Sequence, residues 1–111
     1  MVGGDATVPE PAMPRIFAAH LGPQGAVVRE RELTRTEAEA RRRSGGDVVV
    51  CGPDLAANRR MAQQVEQAAN GSWKRHAPHD EAGPEALPHF QPQGRPPEGH
   101  TFYETPNKRA R

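Results

Sequence analysis

A single cysteine, Cys51, stands in the 111 residues. That excludes an internal disulfide framework and any multi-cysteine zinc site. Aromatic residues make up 5% and all hydrophobic residues 34%. This is a thin supply for the core of a small domain, which already buries a low fraction of its surface. Excess charge of one sign is missing as well. Lys+Arg 15 against Asp+Glu 14 leaves +1, so self-repulsion does not hold the chain open as it does in chains that are both polar and highly charged. No apolar run approaches the roughly 20 residues of a membrane-spanning helix, and no membrane insertion is expected. The N-terminus also lacks the charged start and apolar stretch of a secretory signal. Met1 is therefore read as the start of a cytoplasmic protein or of a cut fragment.

Glycine (11) and proline (12), by contrast, are abundant. A single small, loop-rich, monomeric unit is expected. Residues 1–32 carry Gly3-Gly4, Pro9, Pro11, Pro14 and Gly22-Pro23 and read as a flexible arm or linker. Ala26–Arg29 offers a short strand within it, and Ile16 with Phe17 an alternative apolar anchor. The domain is placed at 33–111. Thr34 and Glu37 have capping-box spacing, Arg41-Arg42-Arg43 suit a helix C-terminus, and Gly45-Gly46 suit its end. The arginine run reads as a solvated face. Asp47–Cys51 is a β-branched run with the signature of a buried strand. Gly52-Pro53-Asp54 turns into a second helix from Leu55 to about Ala69, with Ala57, Met61, Val65 and Ala68 as its apolar stripe. Trp73–His76, Leu87–Gln91 and Gly99–Tyr103 then read as three short strands. In the second, Leu87, His89 and Gln91 suggest a half-buried strand with one wet face. The fold class expected is α+β: two short helices on a small, mainly antiparallel sheet.

Four of the five histidines fall between His76 and His100. Imidazole titrates near neutrality, so two of them can act as general base and general acid. Cleavage of RNA by its own 2′-hydroxyl needs such a pair, together with cations for the developing phosphorane. The candidates are His100 as acid and His89 or His79 as base, with His76 close by. Lys74 and Arg95 would hold the phosphate, with Arg75 in the same stretch and Thr101 assisting. Trp73, Phe90 and Tyr103 could stack on an unpaired base, but for Trp73, Phe90 and Phe102 the core reading is preferred in a chain so short of large apolar side chains. A divalent metal held by His76, His79, His89, His100 and Asp80 is the chemical alternative. A third reading is a non-catalytic module that binds nucleic acid or protein through the basic tail Asn107–Arg111. Cys51, ending a buried strand, is not a promising nucleophile.

The stretches Gly46–Gly52, Asn58-Arg59-Arg60, Lys74–His79, Ala86–Gln91 and Gly99–Tyr103 resemble the C-terminal toxin modules of bacterial polymorphic toxins. Such modules end large Rhs-type or secretion-system proteins. The resemblance spans roughly residues 33–111, and within that group it is nearest to the barnase/EndoU/colicin-type ribonucleases. It implies an endoribonuclease that needs no cofactor and leaves a cyclic phosphate. It further implies an RNA substrate and a dedicated immunity protein as partners. The chain would be delivered into a target cell's cytoplasm as the end of a larger toxin, or would be cytoplasmic if it stands alone. The sequence lacks an obvious strand-borne glutamate base of the barnase kind, and its His and Lys spacing differs from EndoU patterns.

Overall fold

The computed structural model describes residues 13–78, 83–94 and 97–111. Val48, Val49 and Val50 are completely buried because their strand, Asp47–Cys51 (β3), lies inside a six-stranded sheet with both faces covered. Arg15–Leu21 (β1) pairs antiparallel with β3 on one side and with Val27–Leu33 (β2) on the other. On the far side of β3, Thr101–Tyr103 (β6) runs parallel to it. His89–Gln91 (β5) and Lys74–His76 (β4) continue antiparallel to the edge. The strand order is β2-β1-β3-β6-β5-β4, and β3/β6 is its parallel pair. The architecture is α+β, as the sequence implies.

Two helices, Arg35–Arg43 (α1) and Leu55–Asn70 (α2), cover one face. The capping box at α1 is formed. Glu37 N–H donates to Thr34 Oγ1 at 3.1 Å, and Thr34 N–H donates to Glu37 Oε1 at 2.9 Å. Asp54 caps α2, and Gly71 closes it at φ 74°, a left-handed value that favours glycine. Side chains alternate along a strand, so Ile16, Ala18, Val48, Val50, Phe90 and Tyr103 face the helices. Ala19, Val27, Val49, Cys51, Leu87 and Phe102 form a smaller core on the opposite, helix-free face. Among the described residues no helix is long and apolar enough to cross a membrane.

Four expectations need correction. The first is the domain boundary, because the sheet takes in the chain from Arg15 onward rather than from residue 33. Beyond Pro14, Ile16 and Ala18 reach the helix-side core, and β1 is paired on both edges. Residues 1–12 of the expected arm lie outside the described residues. The second is the apolar stripe of α2, which is rotated by one residue. The buried positions are Asn58, Ala62, Val65, Glu66 and Ala69, because two of them are polar groups with partners that a hydrophobic pattern cannot register. Asn58 Nδ2 donates to the carbonyls of Gly52 at 2.9 Å and Glu104 at 3.1 Å.

The third concerns the arginine run. Arg42 is fully buried rather than solvated. Its Nε donates to Glu66 Oε1 at 2.9 Å, and Nη1 donates to the carbonyls of Gly46 and Glu98, both at 2.9 Å. A guanidinium can be buried only when its charge is matched and its donors are used. Thr101 Oγ1 completes the cluster with a 2.8 Å bond to Glu66 Oε1. The fourth is the wet face expected of β5, since Leu87, His89 and Gln91 are all buried. Segment 83–88 folds over this end of the sheet and is held by Glu85 N–H bonded to Gln24 O at 3.1 Å.

Candidate active site

Asp47 enters β3 directly after the Gly45-Gly46 turn that ends α1. Arg41 fastens this corner, donating from Nε to Asp47 O at 2.7 Å and from Nη2 to Ala19 O at 3.0 Å. With Val48 facing the helices, the Asp47 side chain falls on the helix-free face. There Oδ1 accepts two bonds from one residue, His100 N–H at 2.8 Å and His100 Nδ1 at 3.1 Å. Where Nδ1 donates to this carboxylate, which accepts, a neutral ring keeps its lone pair on Nε2. The imidazole is thus fixed in both position and tautomer, and it keeps 26% of its side-chain surface exposed.

Gly99 makes this placement possible. It adopts φ 93°, and a Cβ there would come within 2.6 Å of both Arg42 Nη1 and Gly45 O. The loop into β6 can therefore lie flat against the buried ion pair only without a side chain, and the next residue is His100.

The remaining histidines join in register. His89 on β5 stands opposite Phe102 on β6 and His76 on β4. The His76 and His89 rings stack at 5.3 Å between centroids and 20° between planes. His89 meets His100 at 4.8 Å and 81°. Three imidazoles are thus in contact in series, with the buried His89 between the partly exposed His76 and His100. These rings pack against one another, and among the described residues no group of three His, Cys, Asp or Glu side chains is arranged to hold a metal ion. Leu21, Ala86, Leu87, His89, His100 and Phe102 line a pocket of about 70 Å³ beside them. Clefts that enclose a ligand run to about 300–1,000 Å³, so this pocket is too small to enclose one.

Comparison of the chain with protein-family models, curated proteins and solved structures finds no match. What it does chemically must then be read from the site.

The expected phosphate- and base-binding residues divide between the two faces. Lys74 lies on the histidine face, two residues from His76 on an exposed strand. Arg75 points to the helix side. Thr101 also faces the helices and is fully buried on Glu66, so it cannot assist a phosphate. Tyr103 is buried among Phe90 and the helix-side core. Burial pushes its phenol above the ordinary range, and the charges of Arg75 and Arg59 partly offset this. His79, Asp80 and Arg95 lie outside the described residues. Cys51 is no nucleophile: burial, with Glu104 adding to it, pushes its thiol up to about 12. Asp47 carries little signal in the sequence. It is an acid at the head of a valine run, and its partner lies 53 residues downstream.

Proposed function

We propose that this chain is a toxin-type endoribonuclease domain that cleaves RNA by acid–base transesterification without a metal. The observation that carries this reading is the Asp47 carboxylate holding His100 by main chain and ring together, with two further imidazoles in contact. In the proposed reaction His100 Nε2 removes the proton from a ribose 2′-hydroxyl. The O2′–P bond forms as the P–O5′ bond breaks, and His76 returns a proton to the departing O5′. The products are a 2′,3′-cyclic phosphate and a 5′-hydroxyl end. Lys74, on the same face, offsets charge on the phosphorane. Asp47 orients His100 and stabilises its imidazolium, while the buried His89 sets the spacing between the two outer rings. Relative to the sequence expectation, His100 moves from acid to base and His76 takes the acid role.

An RNA cleavage assay in excess chelator tests the proposal. Cleavage is expected to persist, to yield cyclic phosphate ends, and to stop when the scissile nucleotide lacks its 2′-hydroxyl. His100→Ala and Asp47→Asn should each lower the rate by about 10²–10⁴, the usual loss on removing a general acid–base group or its orientation. Melting temperatures should remain near that of the parent. Restoration of a chelator-inhibited reaction by added divalent cation would replace this reading with the metal-dependent nuclease. Expression in a bacterial cytoplasm is expected to be toxic and to be relieved by an immunity protein.

A further inference from the structure

The helix side of the β4 edge carries a second feature, outside the histidine cluster. Arg59 and Gln63 lie one turn apart on α2. With Trp73, Arg75 and Phe90 they line an open pocket of about 380 Å³, within the range of ligand clefts. Trp73 meets Phe90 edge-on at 5.4 Å and 87°, so its ring is braced by the core rather than left free. Among the described residues the guanidinium of neither Arg59 nor Arg75 has an ion-pair or hydrogen-bond partner. Many other arginines of the chain do, including Arg15, Arg35, Arg42, Arg109 and Arg111. Two guanidiniums without carboxylates therefore converge on a braced indole and a side-chain amide.

We propose that this pocket is a nucleotide subsite, in which Trp73 stacks a base of single-stranded RNA and Arg59 and Arg75 hold the phosphate beside it. The substrate class rests on the ribonuclease reading above, and the subsite deepens it. Aromatic and guanidinium planes stack on any base, and arginine binds phosphate as a planar fork. Gln63 supplies an amide donor and acceptor to a base edge. The two sites are joined by β4 itself. Arg75 lies between Lys74 and His76 in a strand of three residues, and alternation sends its side chain to one face and theirs to the other. β4 is an edge strand, so an extended RNA can fold around it. One nucleotide then sits in the Trp73 pocket while a neighbouring phosphate reaches Lys74 and the histidines.

The chain's single tryptophan reports occupancy directly. Titration with a non-cleavable 2′-O-methyl tetranucleotide is expected to quench Trp73 fluorescence in a saturable way. Arg59→Gln/Arg75→Gln should weaken binding at least tenfold. It should also lower the slope of log affinity against log salt by roughly 0.7 for each phosphate no longer neutralised. Arg59→Lys/Arg75→Lys should fall between the two. His100→Ala should abolish cleavage while the Trp73 quench persists, because the indole and both arginines are untouched. Both arginines are at least partly accessible, and circular dichroism verifies that the variants fold. Unchanged affinity in the Arg→Gln double variant, or binding without any Trp73 response, overturns the subsite while leaving the ribonuclease reading intact. Quenching by a poly-glutamate peptide but not by the tetranucleotide also overturns it and makes the patch a protein contact. Quenching by the tetranucleotide in a protein that never cleaves RNA supports the subsite and rejects the ribonuclease reading.

Discussion

Asp47 and Cys51 stand at opposite ends of one strand and face the same side of the sheet, yet their surroundings give them opposite roles. Asp47 sits at the open end, where a main-chain N–H and an imidazole converge on one oxygen. Cys51 sits at the closed end, 7% exposed and beside Glu104, where a thiolate would be both desolvated and repelled. Its folded-state value of about 12 lies above the ordinary 9.0, so the two states ionise differently. Below pH 9 the thiol is protonated whether folded or unfolded, and the difference contributes nothing to the pH dependence. As pH rises from 9 towards 12, the unfolded chain loses this proton first and stability falls. Denaturant midpoints are expected to drop across that window and to drop less in Cys51→Ala. Tyr103, also raised by burial, has the same sign and accounts for part of what remains. At pH 8 the folded protein should react slowly with a thiol-specific reagent and rapidly in denaturant.

Among the elements, α1, α2 and β6 are joined by the buried Arg42–Glu66 pair. Arg42 comes from α1, Glu66 from α2 and Thr101 from β6, and Asn70 also donates to Glu66. Removing one charge leaves the other buried and unmatched, which typically costs about 3–5 kcal/mol. Arg42→Met is expected to destabilise by that order in urea unfolding. Arg42→Met/Glu66→Met should recover much of the loss, because two apolar side chains leave no orphan charge. The elements also show how far the sequence can be read. Both helices, β3 and the three short C-terminal strands are legible, since β-branched runs, capping residues and glycine stops are local signals. β1 is not. Arg15–Leu21 includes Ala-Ala-His and follows a proline-rich stretch, so its strand character comes from main-chain pairing with β2 and β3. The histidines stand out by type, but nothing local links them to Asp47. Alternation along Gly99–Tyr103 does set Thr101 and Tyr103 on the face opposite His100, but only their burial, visible in the fold, removes them from the site.

At the scale of the whole molecule, β1 is an interior strand, flanked by β2 and β3. Deleting residues 1–25 would strip β3 of one partner and expose Val27 together with the underside of the helix-side core. That truncation is expected to abolish the cooperative thermal transition and most of the far-ultraviolet circular dichroism. An unchanged transition would mean that β1 contributes little to the sheet. The C-terminal residues bind this same region. Arg29 N–H donates to Arg111 O at 2.9 Å, and Arg111 N–H donates to Val27 O at 2.8 Å. Arg109 Nη1 reaches Gly52 O at 2.6 Å.

The sequence separation of 53 between Asp47 and His100 also sets an order of events in time. Helices and hairpins close over short loops, whereas pairing β6 with β3 requires a long loop to close, which is slower and comes at an entropic cost. Until that pairing forms, the carboxylate and the imidazole belong to separate parts of an unfinished chain, and no dyad exists. The chemistry proposed here is therefore among the last properties to emerge during folding. On the proposed mechanism, a chain stalled at any earlier stage would lack the site, however much of its secondary structure is already in place.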